Sequence, residues 1–422
     1  MSKADKRPRE AKPVQKIELS EKNTTLRTVI AVLCLAIGIG AVMFGLMSAL
    51  NTDPGWKTVE VSSSSGALNC SSDFVFSYFL GQSGVSATTE YKQLVSVYTK
   101  ATEDAYRIFH ESLLQDGVSN LCYLSHHVNE TVRVDAALYQ ALELVKTHGN
   151  RSLYLAPVYM EYNRIFRSES EPEAAGFDPA QNPDLLEYIR QVCAFANDPE
   201  AIDVELLGNS QVRLKLSEAY LAFAREYEIT EFLDFGWMKN AFIADYLAQI
   251  LTERGFTRGY LASYDGFTRN LDQRGESYSF NLFDRLGNDI FRPATISYDR
   301  PISIVYLRNY PLSSQDRWHY YGFTGGRIVT LAIDPADGLC KSSTDNMVAY
   351  SGSHGCAEIL LRLIPVYVAD ELQQEGIQDL MQEEIFSIWF EATKLLYNDP
   401  QLKLTLDTVQ YSQYSSALVG NE

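Results

Sequence analysis

The octapeptide LAIDPADG, residues 331–338, places a carboxylate where a hydrophobic run stops. Ile328 to Ile333 is apolar, Asp334-Pro335 ends it, and Gly338 follows. Pro335 cannot donate to a strand ladder, and Gly338 permits a tight turn. Two chemistries suit an Asp there: contact with a metal or cofactor, or acceptance of hydrogen bonds from nearby backbone N–H groups. The six cysteines add little. Cys34 lies in an uncharged run, and Cys70, Cys122, Cys193, Cys340 and Cys356 are spread without any C-x-x-C spacing. Neither a zinc site nor a disulfide framework is indicated, although Cys340 and Cys356 flank one segment and could pair.

The elements that must hold such residues belong to a chain of 422 residues that is 46% hydrophobic. That is enough for a substantial core. Its 26 Tyr and 20 Phe argue against disorder, and its net charge of −18 argues against a nucleic-acid partner. Charge is unevenly spread. Residues 1–27 carry eight Lys/Arg against four Asp/Glu, and the remainder carries 28 against 50. Between the two lies Thr28 to Leu50, 23 residues without a charge. At about 1.5 Å per residue this run is long enough for a bilayer core of about 30 Å. The expectation is a single-pass anchor with residues 1–27 cytoplasmic and the acidic bulk outside the cell membrane. Residues 51–89 read as a juxtamembrane linker and first strand region, 90–415 as the folded domain and 416–422 as a tail.

Within the domain, apolar spacing predicts helices over about 91–114, 134–148, 184–195, from Met238 to Gly255, 355–373 and 376–397. Strands are predicted in AIDVELL, QVRLKL, RGYLAS, SYSFNLFD, ISIVYLRN, RIVTLAID and LKLTLDTVQY. RSESEPEAAGFDPAQNPD reads as a surface excursion. Helices and strands come in mixed blocks, which indicates an α+β domain with a largely antiparallel sheet.

Taken in order, these segments resemble the FAD:protein FMN transferase family, the ApbE-type flavin transferases, over roughly residues 90–411. LAIDPADG stands where the family has H-I-I-D-P-x-T-G. DFGWMKNAFIAD, Asp234 to Asp245, matches D-L-G-G-I-A-K-G-Y-A-x-D in length, in both ends and in Gly236. LASYDGF stands for L-x-N-x-G-G-D, and AEILLR, Ala357 to Arg362, for the A-D-A-x-x-T helix. YLAPVYMEYNRIF, opened by Tyr154, stands for the early segment that lines the family's cofactor cleft.

The resemblance implies an ApbE-like, T-fold-like mixed domain, FAD as ligand and Mg²⁺ as its counter-ion. It assigns Asp265, Gly266, Tyr154, Lys239 and Asn240 to cofactor binding and Glu358 and Asp334 to the metal. Departures fall on the reacting positions. Leu331 replaces the family's His; His319 or His354 could be brought close by folding as a base, or each is an ordinary surface or core histidine. Arg362 replaces the metal-binding Thr, and a guanidinium only donates. Glu358 and Arg362, four apart, face each other, either as an ion pair filling the metal's place or with Arg362 replacing magnesium as the phosphate counter-charge. Lys239 falls one place before the family's Lys, a rotation of about 100°. Phe267 adds bulk where the family has an acid.

The reading that follows is a membrane-anchored, extracytoplasmic ApbE-like protein that has lost most of the transfer chemistry. It would serve as a scaffold for flavin or for a flavinylated or membrane protein partner. The alternative is an active, divergent transferase that flavinylates Thr or Ser of a partner. In it Glu358, Asp334 and Asp265 hold magnesium, and His319 or His354 acts as base. A plain surface protein without ligand is the third possibility.

Overall fold

Two faces of one strand explain the architecture. Ile302–Arg308 is buried throughout. Ile304 and Tyr306 join one hydrophobic cluster, and Val305 and Leu307 join another. Alternate side chains leave a strand on opposite sides, so the run ISIVYL needs cover on both. The computed structural model, which describes residues 52–312, 316 and 318–420, shows what provides it.

The strand lies at the centre of a nine-stranded sheet. Its order is Gly55–Thr58, Phe74–Leu80, Gly259–Ser263, Phe267–Asn270, Ile302–Arg308, Asn346–Ser351, Phe386–Glu391, Lys394–Tyr397 and Ser415–Leu418. Neighbours pair antiparallel, except that Lys394–Tyr397 and Ser415–Leu418 run parallel. The helices Ala87–Ile108, Lys239–Glu253 and Cys356–Tyr367 pack together and onto this sheet. A smaller sheet of Tyr278–Leu286, Asp289–Tyr298 and Lys403–Leu406 supplies Leu282, Ala294 and Ile296 to the second cluster. The α+β class and the largely antiparallel sheet are as the sequence indicates.

Several elements differ from expectation. Residues 376–397 are a helix only over Gln374–Gln382. FSIWFE and KLLY then form a hairpin. Apolar runs this short have no period long enough to separate strand from helix. RIVTLAID gives only Ile328–Thr330, paired with Tyr320–Gly322 in a two-stranded ribbon outside the main sheet. The supposed excursion contains the helix Glu171–Gly176 and fully buried Asp178, which Arg327 grips from that ribbon. Sheet membership runs from Gly55 to Leu418. The segment read as linker and first strand region, 51–89, contributes two strands, and the segment read as tail part of another.

Cys70, Cys122, Cys193, Cys340 and Cys356 are free thiols. Cys340 contacts Thr330 while Cys356 faces the Thr268 and Ile304 carbonyls, so the suggested 340–356 pair does not form. Among the described residues no helix is long and apolar enough to cross a membrane. The run read as an anchor, 28–50, lies outside them.

Candidate functional site

DFGWMKN builds the entrance to the Lys239–Glu253 helix. The Asp234 carboxylate accepts the Gly236 N–H at 2.7 Å. Gly236 sits at φ 54°, and a Cβ there would come within 2.5 Å of the Tyr159 ring. Only glycine fits both demands. A single 3-10 turn, Gly236–Met238, leads into the helix. As a result Trp237, Lys239 and Asn240 all border the same cavity, of about 430 Å³. The displacement expected of Lys239 does not keep it from the site.

Tyr159, Trp237, Tyr264 and Trp318 give the cavity aromatic walls, and Tyr159 comes from the Ala156–Arg167 helix. Four carboxylates line it: Asp73, Glu111, Asp234 and Asp265. Lys239 and His319 are the basic side chains, and Leu331 closes one side. A second compartment of about 330 Å³ shares Glu111, Asn163 and Asp234 and adds Met160, Arg164, Arg167 and Glu231.

Charges in the cavity are tied to one another. Lys239 Nζ lies 3.0 Å from Glu111 Oε2. Burial works against the ammonium, but Glu111 and then Asp234 hold it protonated beyond the ordinary lysine range. Burial also works against ionised Glu111, and Lys239 outweighs it, so the carboxyl falls below its usual value. At Asp234 the attraction of Lys239 is not enough. Burial, with repulsion from Glu111, pushes the carboxyl up to about 7. Burial raises Asp265 as well, against the attraction of His319. Asn240 Nδ2 donates to Asp265 Oδ2 at 2.9 Å.

Other predicted residues lie elsewhere or do structural work. Gly266 neighbours Asp265, but its missing Cβ makes room for the Tyr306 carbonyl, at 2.2 Å from where that atom would stand. Tyr154 donates to Asp203 and accepts the Val204 N–H, tying its turn to the strand Ile202–Gly208. It does not border the cavity. Asp334 is a turn residue: Oδ1 accepts the Ala336 N–H, and Oδ2 pairs with Lys341 at 2.8 Å.

Glu358 lies between His354, at 3.0 Å, and Arg362, at 3.3 Å. His354 also contacts the Glu383 carbonyl oxygen at 2.9 Å, and Arg362 reaches the Glu383 carboxylate at 3.5 Å. Glu358 and Asp334 share no partner, and neither lines the cavity. Burial would raise the Glu358 carboxyl, but His354 and Arg362 hold it below the usual range. A carboxylate already satisfied by a fixed guanidinium is a poor ligand for magnesium, so this position does not fit the metal. Among the described residues no three His, Cys, Asp or Glu side chains converge to hold a metal ion.

Sequence reasoning missed Asp73, Glu111, Tyr159, Trp237 and Trp318. Trp237 lay inside the matched motif and had a signal to follow. Asp73 ends the 3-10 turn Ser71–Asp73 and Glu111 lies just after the Ala87–Ile108 helix, and nothing local marks either. The far end of the motif has a structural explanation. The two Asp245 oxygens each accept a backbone N–H, from Cys356 and Ala357, both at 2.9 Å, and so cap the Cys356–Tyr367 helix.

No protein-family model and no curated protein matches the chain. Solved structures do. The ApbE protein of Thermotoga maritima aligns with TM-score 0.54 and 11% identity over 81% of this chain and 96% of its own. The flavin transferase ApbE of Vibrio cholerae aligns with TM-score 0.52 and 12% identity over 86% of this chain and all of its own. The fold is ApbE-like.

Proposed function

We propose that this chain is a membrane-anchored flavin-binding scaffold that lacks the metal-dependent transfer centre of the enzymes it resembles. The observation that carries the binding part is the aromatic-walled cavity at the glycine-kinked start of the Lys239–Glu253 helix. Tyr264, Trp237 and Trp318 offer ring faces for stacking, and Lys239, Asn240 and Asp265 offer polar contacts at its edge. Loss of transfer is supported by Leu331 at the family's base position and by the Glu358–Arg362 pair at its metal position. The anchor rests on the uncharged run 28–50 and its basic flank. Alkaline carbonate should leave the full-length protein in the membrane fraction, and extraction into the soluble fraction would remove that part.

One observation favours a second reading, an active FAD:protein FMN transferase. His319 shares the cavity with Asp234, whose carboxyl titrates near neutrality, so acid–base chemistry is still housed there. Incubating the full-length protein with FAD, Mg²⁺ and a Thr-containing acceptor protein, and separately with riboflavin, separates the two. Bound flavin that stays intact supports the scaffold. FMN transferred to the acceptor with release of AMP supports the transferase. Neither FAD nor riboflavin bound at micromolar concentration defeats both.

A further inference from the structure

We propose that the cavity selects a flavin that carries no phosphate, so that riboflavin binds it more tightly than FMN or FAD. The proposal rests on the flavin reading above and narrows it. It comes from a count of charges. Asp73, Glu111, Asp234 and Asp265 face the space, against one ammonium, Lys239, and the imidazole of His319. Lys239 already serves Glu111 at 3.0 Å. The identified partners of Asp234 and Asp265 include neutral donors, the Gly236 N–H and the Asn240 amide. The outer compartment does not reverse the balance. It adds Glu231 along with Arg164 and Arg167, and Arg164 is held by Glu161 at 3.2 Å.

A phosphate monoester carries about −1.5 to −2 at neutral pH, and when fully ionised it only accepts hydrogen bonds. Placed among these carboxylates it meets like charges in a partly desolvated space, where repulsion is several times that in water. A ribityl chain presents hydroxyl donors and an isoalloxazine ring presents an imide N–H, and carboxylates accept from both. Stacking on Trp237, Tyr264 or Trp318 needs no charge at all. Burial is the main cause of the raised Asp234 and Asp265 carboxyls, and repulsion from Glu111 and Asp73, respectively, adds to it.

The test is equilibrium dialysis of the full-length protein against riboflavin, FMN and FAD, in low-salt buffer with EDTA at pH 7.5. Riboflavin should show a Kd at least tenfold below those of FMN and FAD. The gap should shrink severalfold in 0.5 M NaCl, roughly as screening predicts. It should also shrink in Asp73→Asn, a change at an exposed residue on the rim. FAD or FMN binding as tightly as riboflavin overturns the charge selection and leaves the flavin reading intact. A gap indifferent to both salt and Asp73→Asn overturns it too. Failure of all three flavins to bind ends both.

Discussion

The two charged constellations of this molecule are built in opposite ways. At the start of the Cys356–Tyr367 helix, His354, Glu358, Arg362 and Glu383 satisfy one another within 3.5 Å. At the start of the Lys239–Glu253 helix, four carboxylates share one ammonium and one imidazole around a cavity. In the first constellation Glu358 is paired on both sides, although the buried Arg362 Nε has no hydrogen-bond partner among the described residues. The second holds Asp234 near neutrality because burial and repulsion from Glu111 outweigh the attraction of Lys239. The first constellation is closed by its own ion pairs, and the second leaves charged groups facing open space.

Four measurements would break or sharpen that contrast. Gly236→Ala has the largest expected effect. The new methyl meets the Tyr159 ring and the residue must hold a positive φ. A loss of roughly 2–4 kcal/mol in denaturant unfolding, with flavin binding abolished, is expected. A variant as stable as the parent would show that the glycine does not shape the cavity.

Lys239→Met comes next. It leaves Glu111 and Asp234 facing each other without their cation. The expected cost is about 1–3 kcal/mol at pH 8 and less at pH 5, where Asp234 is protonated. Equal melting temperatures for the variant and the parent at pH 8 would mean that the cavity lacks the charge surplus.

The third is the pH profile itself. Folded Asp234 keeps its proton to about pH 7, whereas the unfolded chain releases it near 3.8, the ordinary value for an aspartate. The folded state therefore binds more protons across that window. Its contribution is present below the window and is lost as pH rises toward 7. Asp234→Asn should flatten thermal melts taken from pH 5 to 8, by roughly 1 kcal/mol once the open cavity's screening is allowed for. An unaltered profile would place the titration elsewhere.

Arg362→Ala is the smallest. Glu358 retains His354, so a change under about 1 kcal/mol and unchanged flavin affinity are expected. A marked shift in flavin affinity would reconnect the closed constellation to the cavity.

Much of this was legible in the residues, and the rest was not, for physical reasons. Gly236 and both ends of its motif could be placed because the segment resembles the flavin-transferase motif, and the structure gives each a local role. The Glu358–Arg362 pair followed from four-residue spacing on a helix. Asp334 could be narrowed to two roles, and Lys341 and the Ala336 N–H give it turn and ion-pair partners. Tyr154 went astray because an aromatic residue near a motif says nothing about which way its ring faces. The hairpin in 386–397 went astray because short apolar runs suit either element.

By itself the sequence determined the mixed α+β class, the order of most elements, the residues able to titrate and the pairs that lie one helical turn apart. These depend on local sterics and on spacing along one element. Only the tertiary structure decided that Asp73, Glu111, Asp234, Asp265 and His319 border one cavity while Glu358 and Asp334 do not. Those side chains come from segments nearly 250 residues apart. Packing between helices and sheet brings them together, and no local pattern encodes that distance.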